Sequence, residues 1–107
     1  MGVNDFVTKD ACNIFGRNNG LESWTWSEYH VHKKELGDKL VLVDMIGHPL
    51  EGSIPLSDDL FSGTYPEGTS FALYCHSGGS SGYLQMKIAP QMPQYQFINI
   101  QGGILSL

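Results

Sequence analysis

Short apolar runs and segments of helical periodicity alternate along the chain. The uninterrupted apolar residues at 40–43 and 71–74 are typical of strands buried on both faces, as in a parallel sheet. A third strand is predicted at 96–100, and a short aromatic strand at 21–26 with its two tryptophans on one side. This order of strands, interleaved with helices, predicts an α/β domain with a parallel sheet.

Two helices are predicted between these strands. Ser27 is the expected N-cap of the first helix, and Gly37 is expected to end it. The second helix is indicated by apolar residues at helical spacing between Tyr83 and Ile88, and it stops before Pro90. Strand and helix thus follow one another as they do in α/β domains.

The remaining segments carry turn residues and show no periodicity. Residues 1–22 are predicted to be a linker or N-terminal extension, and residues 23–107 to form a single domain. Within that domain, 47–49 and 52–55 are expected to be loops, and 58–61 to form one short helical turn. The sequence contains no internal repeat that would indicate a second domain.

Composition and charge narrow the classes of function. The chain has 107 residues, fewer than the roughly 150 that one domain commonly uses, and 41% hydrophobic residues exclude an intrinsically disordered chain. Eleven acidic against six basic residues give a net charge of −5. This charge argues against nucleic acid or an anionic membrane as partner, since both are bound through basic residues. No apolar run approaches about 18 residues and no secretory signal is visible, so we expect a cytoplasmic protein.

One segment combines the features of a reactive thiol. Cys75 follows the strand at 71–74, at the end of a parallel sheet where ligands bind, and a helix is expected to begin five or six residues later. Loop N–H groups and the helix dipole favour a thiolate over a thiol. The glycines of the predicted cradle allow close approach and its serines donate hydrogen bonds. The cradle residues are His76, Ser77, Gly78, Gly79, Ser80 and Ser81. The alternative is an inert buried thiol at a strand end.

Four motifs occur in an order that resembles the rhodanese homology domain. They are Leu40–Asp44, Ser53–Pro55, Ala72–Gly79 and Ile100–Ile104, and the resemblance extends from about Trp24 to Leu107. The resemblance implies a central parallel sheet of about five strands flanked by helices. It also implies that Cys75 accepts a sulfane sulfur, becomes a persulfide and passes the sulfur to a nucleophilic acceptor. The donor would be thiosulfate or a protein persulfide, and no cofactor is implied.

The closing residues 101–105 are similar to those of rhodanese domains appended to ThiF/MoeB-type adenylyltransferases, which activate sulfur-carrier proteins. This similarity implies a sulfur-carrier protein, or a fused adenylyltransferase domain, as partner. It also implies that residues 1–22 are the remnant of an interdomain linker.

The chain departs from the family pattern in the cysteine loop. Active members place Arg five positions after the cysteine, and this chain has Ser80 there. Replacing a bidentate guanidinium by one neutral hydrogen bond costs roughly 1.5–3 kcal/mol in the binding of a dianionic donor. The family's Asp-x-Arg-Glu pattern appears as Asp44–Gly47, and the connection from there to Pro55 is shortened. Two interpretations therefore stay open: a sulfurtransferase, or a catalytically impaired rhodanese-like module that binds a partner or senses redox state.

Other candidate residues carry weaker signals. His30 and His32 lie on different faces of a predicted helix, so no metal site is expected. His48 is predicted to be a loop residue, and the resemblance implies that its loop can approach the rim of the cysteine site. Asp44 either orients the active loop or, as we expect, caps a backbone N–H. Cys12 is expected to be a bystander surface thiol rather than a relay thiol.

Overall fold

Five short strands form one sheet in the computed structural model of the chain, which describes residues 22–57, 59–62 and 64–107. The strands are β1 (Glu22–Trp24), β2 (Leu40–Asp44), β3 (Ser53–Pro55), β4 (Ser70–Tyr74) and β5 (Gln96–Ile100). Their order in the sheet is β1-β5-β4-β2-β3, and neighbouring strands run parallel. The predicted α/β fold with a central parallel sheet of about five strands is confirmed. The linker predicted at 1–22 lies outside the described residues, apart from Glu22, which begins β1.

Successive residues of a strand point to opposite faces of the sheet, and both faces are covered by apolar side chains. One face is packed by a cluster that includes Leu42, Tyr74 and Ile98, and the other by a cluster around Phe71 and Phe97. The uninterrupted apolar runs of β2 and β4 follow from this double burial, since neither face of the strand meets solvent.

Helix α1 (Trp26–Leu36) covers the first face and begins at a different residue from the one predicted. Its N-cap is Thr25 rather than Ser27. The Glu28 amide donates to Thr25 Oγ1 at 3.2 Å, and the Thr25 amide donates to Glu28 Oε1 at 2.9 Å, which forms a reciprocal capping box. Trp26 consequently belongs to the helix, so the two tryptophans do not share a strand.

Helix α2 (Gly79–Ile88) covers the second face through Leu84 and Ile88. It begins four residues after Cys75, sooner than predicted, because its N-cap Gly78 takes a left-handed φ of 97° that turns the chain directly into the helix. Within the described ranges, no helix is long and apolar enough to cross a membrane.

The prediction of a loop at 52–55 is wrong for the last three residues, which form the edge strand β3. β3 pairs in parallel with β2, with Ser53 opposite Leu42 and Pro55 opposite Asp44. The strand is only three residues long and lacks an apolar run, so pattern alone did not reveal it. Proline is tolerated there because an edge strand leaves one row of N–H groups unpaired.

The helical turn predicted at 58–61 is instead a pair of tight turns, with Asp58 itself outside the described residues. The Leu60 amide donates to Ser57 O and the Ser62 amide to Asp59 O, both at 3.2 Å. The turns direct Leu60 into the apolar cluster on the α2 side of the sheet.

Candidate active site

Cys75 lies at the carboxyl edge of the sheet, directly after β4, which is flanked by β5 and β2. The chain then passes through a short loop into α2, so the amino end of that helix is adjacent to the cysteine. Cys75 is 2% exposed, whereas His76 and Ser77 beside it are exposed. The thiol is therefore buried beneath a solvent-exposed loop.

The sulfur of Cys75 accepts hydrogen bonds from two backbone amides. Gly78 N lies 3.2 Å and Ser81 N 3.3 Å from Sγ, and the Ser81 hydroxyl oxygen lies 3.3 Å from it. Burial raises the pKa of the thiol, but these contacts and the Ser77 amide outweigh it, so the pKa of Cys75 lies below its ordinary value of 9.0. The loop thus favours the thiolate, which is the nucleophilic form.

Gly78 is required in this loop for two reasons. Its φ of 97° is left-handed, and a β-carbon there would lie 3.0 Å from Gly102 N and 3.3 Å from Ile100 O. The loop therefore packs directly on the end of β5. In this position the Gly78 amide donates to the sulfur.

A 3-10 turn at Gly103–Ser106 holds the other side of the loop. The Ile104 amide donates to Cys75 O at 2.9 Å and the Leu105 amide to His76 O at 3.1 Å. A β-carbon at Gly103 would overlap the carbonyl oxygens of both Cys75 and His76. The glycine pair after β5 therefore forms the support on which the cysteine loop rests.

Asn99 is a site residue that the sequence reasoning missed. It lies on β5, and its Oδ1 accepts a hydrogen bond from the Ser81 hydroxyl. Ser81 is fully buried, so the chain of contacts runs from Sγ through Ser81 Oγ to Asn99. The available signal was a polar residue between two isoleucines in the inner part of the strand.

The other predicted cradle residues have different positions from Ser81. His76, Ser77, Gly79 and Ser80 are exposed around the buried sulfur. Among the serine side chains of the described loop, only Ser81 has its hydroxyl within hydrogen-bond distance of Sγ. The contribution of Ser77 and Ser80 as side-chain donors stays a prediction.

The cradle contains no arginine or lysine. The described residues contain no arginine, and two of their lysines have partners elsewhere. Lys87 Nζ stands 5.7 Å from the centre of the Tyr83 ring, in the last turn of α2, and Lys33 Nζ donates to Leu40 O at 2.7 Å. The sulfur is therefore surrounded by amide and hydroxyl dipoles.

The weaker candidates serve local structure. Asp44 Oδ1 accepts from the Ile46 amide at 2.9 Å, as expected of a cap, and the His48 carbonyl accepts from the Tyr74 hydroxyl at 2.7 Å. The ring of His32 stacks on Trp24 at 4.1 Å. Across the described residues, no group of three His, Cys, Asp or Glu side chains could hold a metal ion. Cys12 lies outside the described residues.

Comparison with known proteins supports the fold. No family model matches the chain, and no curated protein matches it. Among solved structures, the chain is similar to the BH2092 protein from Bacillus halodurans, with 14% sequence identity and a TM-score of 0.58. The match covers 90% of this chain and 77% of that one. At this identity the similarity shows a shared α/β architecture.

Proposed function

We propose that this domain is a rhodanese-like sulfurtransferase that carries sulfane sulfur as a persulfide on Cys75. The observation that carries the proposal is the pair of amide hydrogen bonds from Gly78 and Ser81 to Sγ. They surround a thiol at the carboxyl edge of a parallel sheet, where α/β domains bind ligands, and they stabilise its thiolate. The identity of the transferred group, sulfur, is inferred from the order of motifs that resembles the rhodanese homology domain.

The reaction has two displacements. The Cys75 thiolate attacks the sulfane sulfur of the donor and forms an S–S bond, while the donor leaves with the electron pair of the broken bond. Sulfite is the leaving group when thiosulfate is the donor, and a thiolate is the leaving group when a persulfide is. A thiolate of the acceptor then attacks the outer sulfur with its electron pair, and Cys75 leaves as the thiolate that the loop amides stabilise.

A cradle without arginine or lysine favours a protein persulfide over thiosulfate as donor. Thiosulfate carries two negative charges, and the position that would hold a guanidinium is Ser80. A monoanionic persulfide has less charge to compensate, and its protein provides contact area outside the loop. We infer a sulfur-carrier protein, or a fused adenylyltransferase domain, as acceptor, in a cytoplasm that keeps the thiol reduced.

Intact mass after incubation with each donor tests this proposal. A Cys12→Ala background leaves Cys75 as the sole thiol, since the chain has two cysteines. We expect one added sulfur from a persulfide donor, less from thiosulfate, and none after Cys75→Ala. Ser80→Arg should raise uptake from thiosulfate on the order of tenfold, whereas Ser62→Arg, an exposed serine on another loop, should not. If neither the background nor Ser80→Arg takes up sulfur from either donor, the proposal is wrong.

A second function is favoured by the 2% exposure of Cys75 together with the lack of arginine and lysine in its loop. These features suit a catalytically impaired rhodanese-like module that binds a partner or senses redox state. In that case the background would stay free of added sulfur, and only Ser80→Arg would gain it from thiosulfate. The alkylation pKa of Cys75 would then lie near its ordinary value of 9.0 rather than below it.

A further inference from the structure

The Ser81 hydroxyl occupies the space between two groups that compete for its single hydrogen. Its oxygen lies 3.3 Å from Cys75 Sγ, and it donates to Asn99 Oδ1. Ser81 and Cys75 are buried, so water does not take the place of the hydroxyl beside the sulfur. A hydroxyl has one O–H donor and two acceptor lone pairs. With its hydrogen directed to Asn99, Ser81 presents a lone pair to the sulfur.

This arrangement matches the neutral thiol, whereas the part of the Ser81 hydroxyl in lowering the pKa of Cys75 requires that it donate to the sulfur. The S–H of Cys75 donates to Ser81 Oγ, and Ser81 donates to Asn99. When the thiol loses its proton, the lone pair of Ser81 faces a negative sulfur, and the hydroxyl must turn to donate to it. Asn99 then has to supply a donor to Ser81 Oγ in place of an acceptor. An amide can do so, because a flip of the side chain exchanges Oδ1 for Nδ2–H.

We propose that Asn99 is the positioning residue that sets the direction of the Ser81 hydroxyl and so adjusts the cradle to the protonation state of Cys75. The proposal deepens the proposed function, since the sulfur cycles between thiolate and neutral forms during transfer. Asn99 acts through Ser81 and does not itself touch the sulfur. By this flip of the Asn99 amide, the hydrogen bonds beside the sulfur can match either protonation state of Cys75.

The charged and titratable groups around Cys75 are few. His76 adjoins it in the chain, Asp44 and Tyr74 end the neighbouring strands β2 and β4, and Lys87 lies in the last turn of α2. Described residues 96–107, from β5 through the closing 3-10 turn, contain no Asp, Glu, His, Lys, Arg, Tyr or Cys side chain. A carboxylate introduced by Asn99→Asp would therefore be the first titratable side chain in this segment.

The rate of Cys75 alkylation by iodoacetamide, measured against pH in the Cys12→Ala background, tests the proposal. Asn99→Asp can only accept from Ser81, so it holds the hydroxyl away from the thiolate. We expect the rate at pH 7, relative to the high-pH plateau, to fall about tenfold. Asn99→Leu has nearly the same size and frees the hydroxyl to turn to the sulfur, so this relative rate should not fall. A merely structural role for Asn99 would move both variants in the same direction.

A coupling measurement distinguishes an effect transmitted by the Ser81 hydroxyl from direct repulsion between the introduced carboxylate and the thiolate. In a Ser81→Ala background, Asn99→Asp should change the relative rate by less than about threefold, because the group through which it acts is gone. Gln96→Glu is a matched control: it lies on the same strand and its Oε1 accepts from Ser70 Oγ at 3.0 Å, at the opposite end of β4 from the cysteine. We expect no change from it. Circular dichroism checks that each variant is folded.

Two results would overturn the proposal: an equal effect of Asn99→Asp with and without Ser81, or a fall in rate with Asn99→Leu as large as with Asn99→Asp. Sulfur uptake is measured separately by intact mass on the same background. A failure of uptake with intact coupling would count against the sulfurtransferase and leave the role of Asn99 standing. The reverse result would count against Asn99 alone.

Discussion

Two loops leave the carboxyl edge of the sheet from neighbouring strands, and they differ in where their polar groups point. After β2, the groups satisfy one another: Asp44 accepts from the Ile46 amide, and the Ser53 hydroxyl donates to Leu50 O at 2.8 Å. After β4, the amides of Gly78 and Ser81 converge on a side-chain sulfur. Polar residues at the right edge are thus insufficient for a site. The backbone donors must also be directed at one atom.

The largest expected effect comes from Gly103, which supports the β4 loop. Gly103→Ala would drive a β-carbon into the Cys75 and His76 carbonyls, at a residue with a φ of 54°. We expect a loss of about 3 kcal/mol or more in the free energy of unfolding, measured in urea. The matched control is Gly47→Ala in the β2 loop, where φ is 71° and nothing lies within 4 Å. It should cost only about 1–2 kcal/mol, from backbone strain. Equal losses would mean that the close packing under Cys75 is not the stabilising feature.

The next effect is the pH dependence of stability. The pKa of Cys75 in the folded protein lies below 9.0, the ordinary value of a solvent-exposed thiol in an unfolded chain. The stabilisation that ionised Cys75 gives the folded state is therefore complete above pH 9.0. It is lost as the pH falls through the pKa of Cys75 in the folded protein. In the Cys12→Ala background, the difference in unfolding free energy from Cys75→Ser should rise with pH up to about 9, by at most about 1.4 kcal/mol per pH unit. A difference that stays flat or falls would contradict the stabilisation of the thiolate.

The smallest effect is expected in the β2 loop. Asp44→Asn keeps an acceptor for the Ile46 amide and removes only the charge, so it should cost about 0.5–1 kcal/mol. Because Asp44 is not among the groups that shift the pKa of Cys75, the alkylation rate should stay within about twofold of the background. The check is urea unfolding and iodoacetamide alkylation on the same sample. A tenfold change in rate would show that the two loops act together.

Local patterns were sufficient to predict much of the fold. The apolar runs of β2 and β4 revealed strands buried on both faces, and the glycines after Cys75 indicated a loop that turns into a helix. The same reasoning missed β3, because an edge strand of three residues has too little pattern to detect. It also put the cap of α1 at Ser27, although Glu28 could pair reciprocally only with Thr25.

The parallel sheet, the position of Cys75 after a central strand and the absence of a loop arginine could be predicted from the sequence, because they depend on local order and residue type. The serine that reaches the sulfur, and the residue that lies behind it, depend on how the chain folds. Ser81 and Asn99 are 18 residues apart and meet because α2 packs on β5. Gly103 supports Cys75 from 28 positions further along the chain because β5 ends beside β4. Contacts of this kind arise from the register of the sheet and the packing of the helix, which spacing along the chain does not encode.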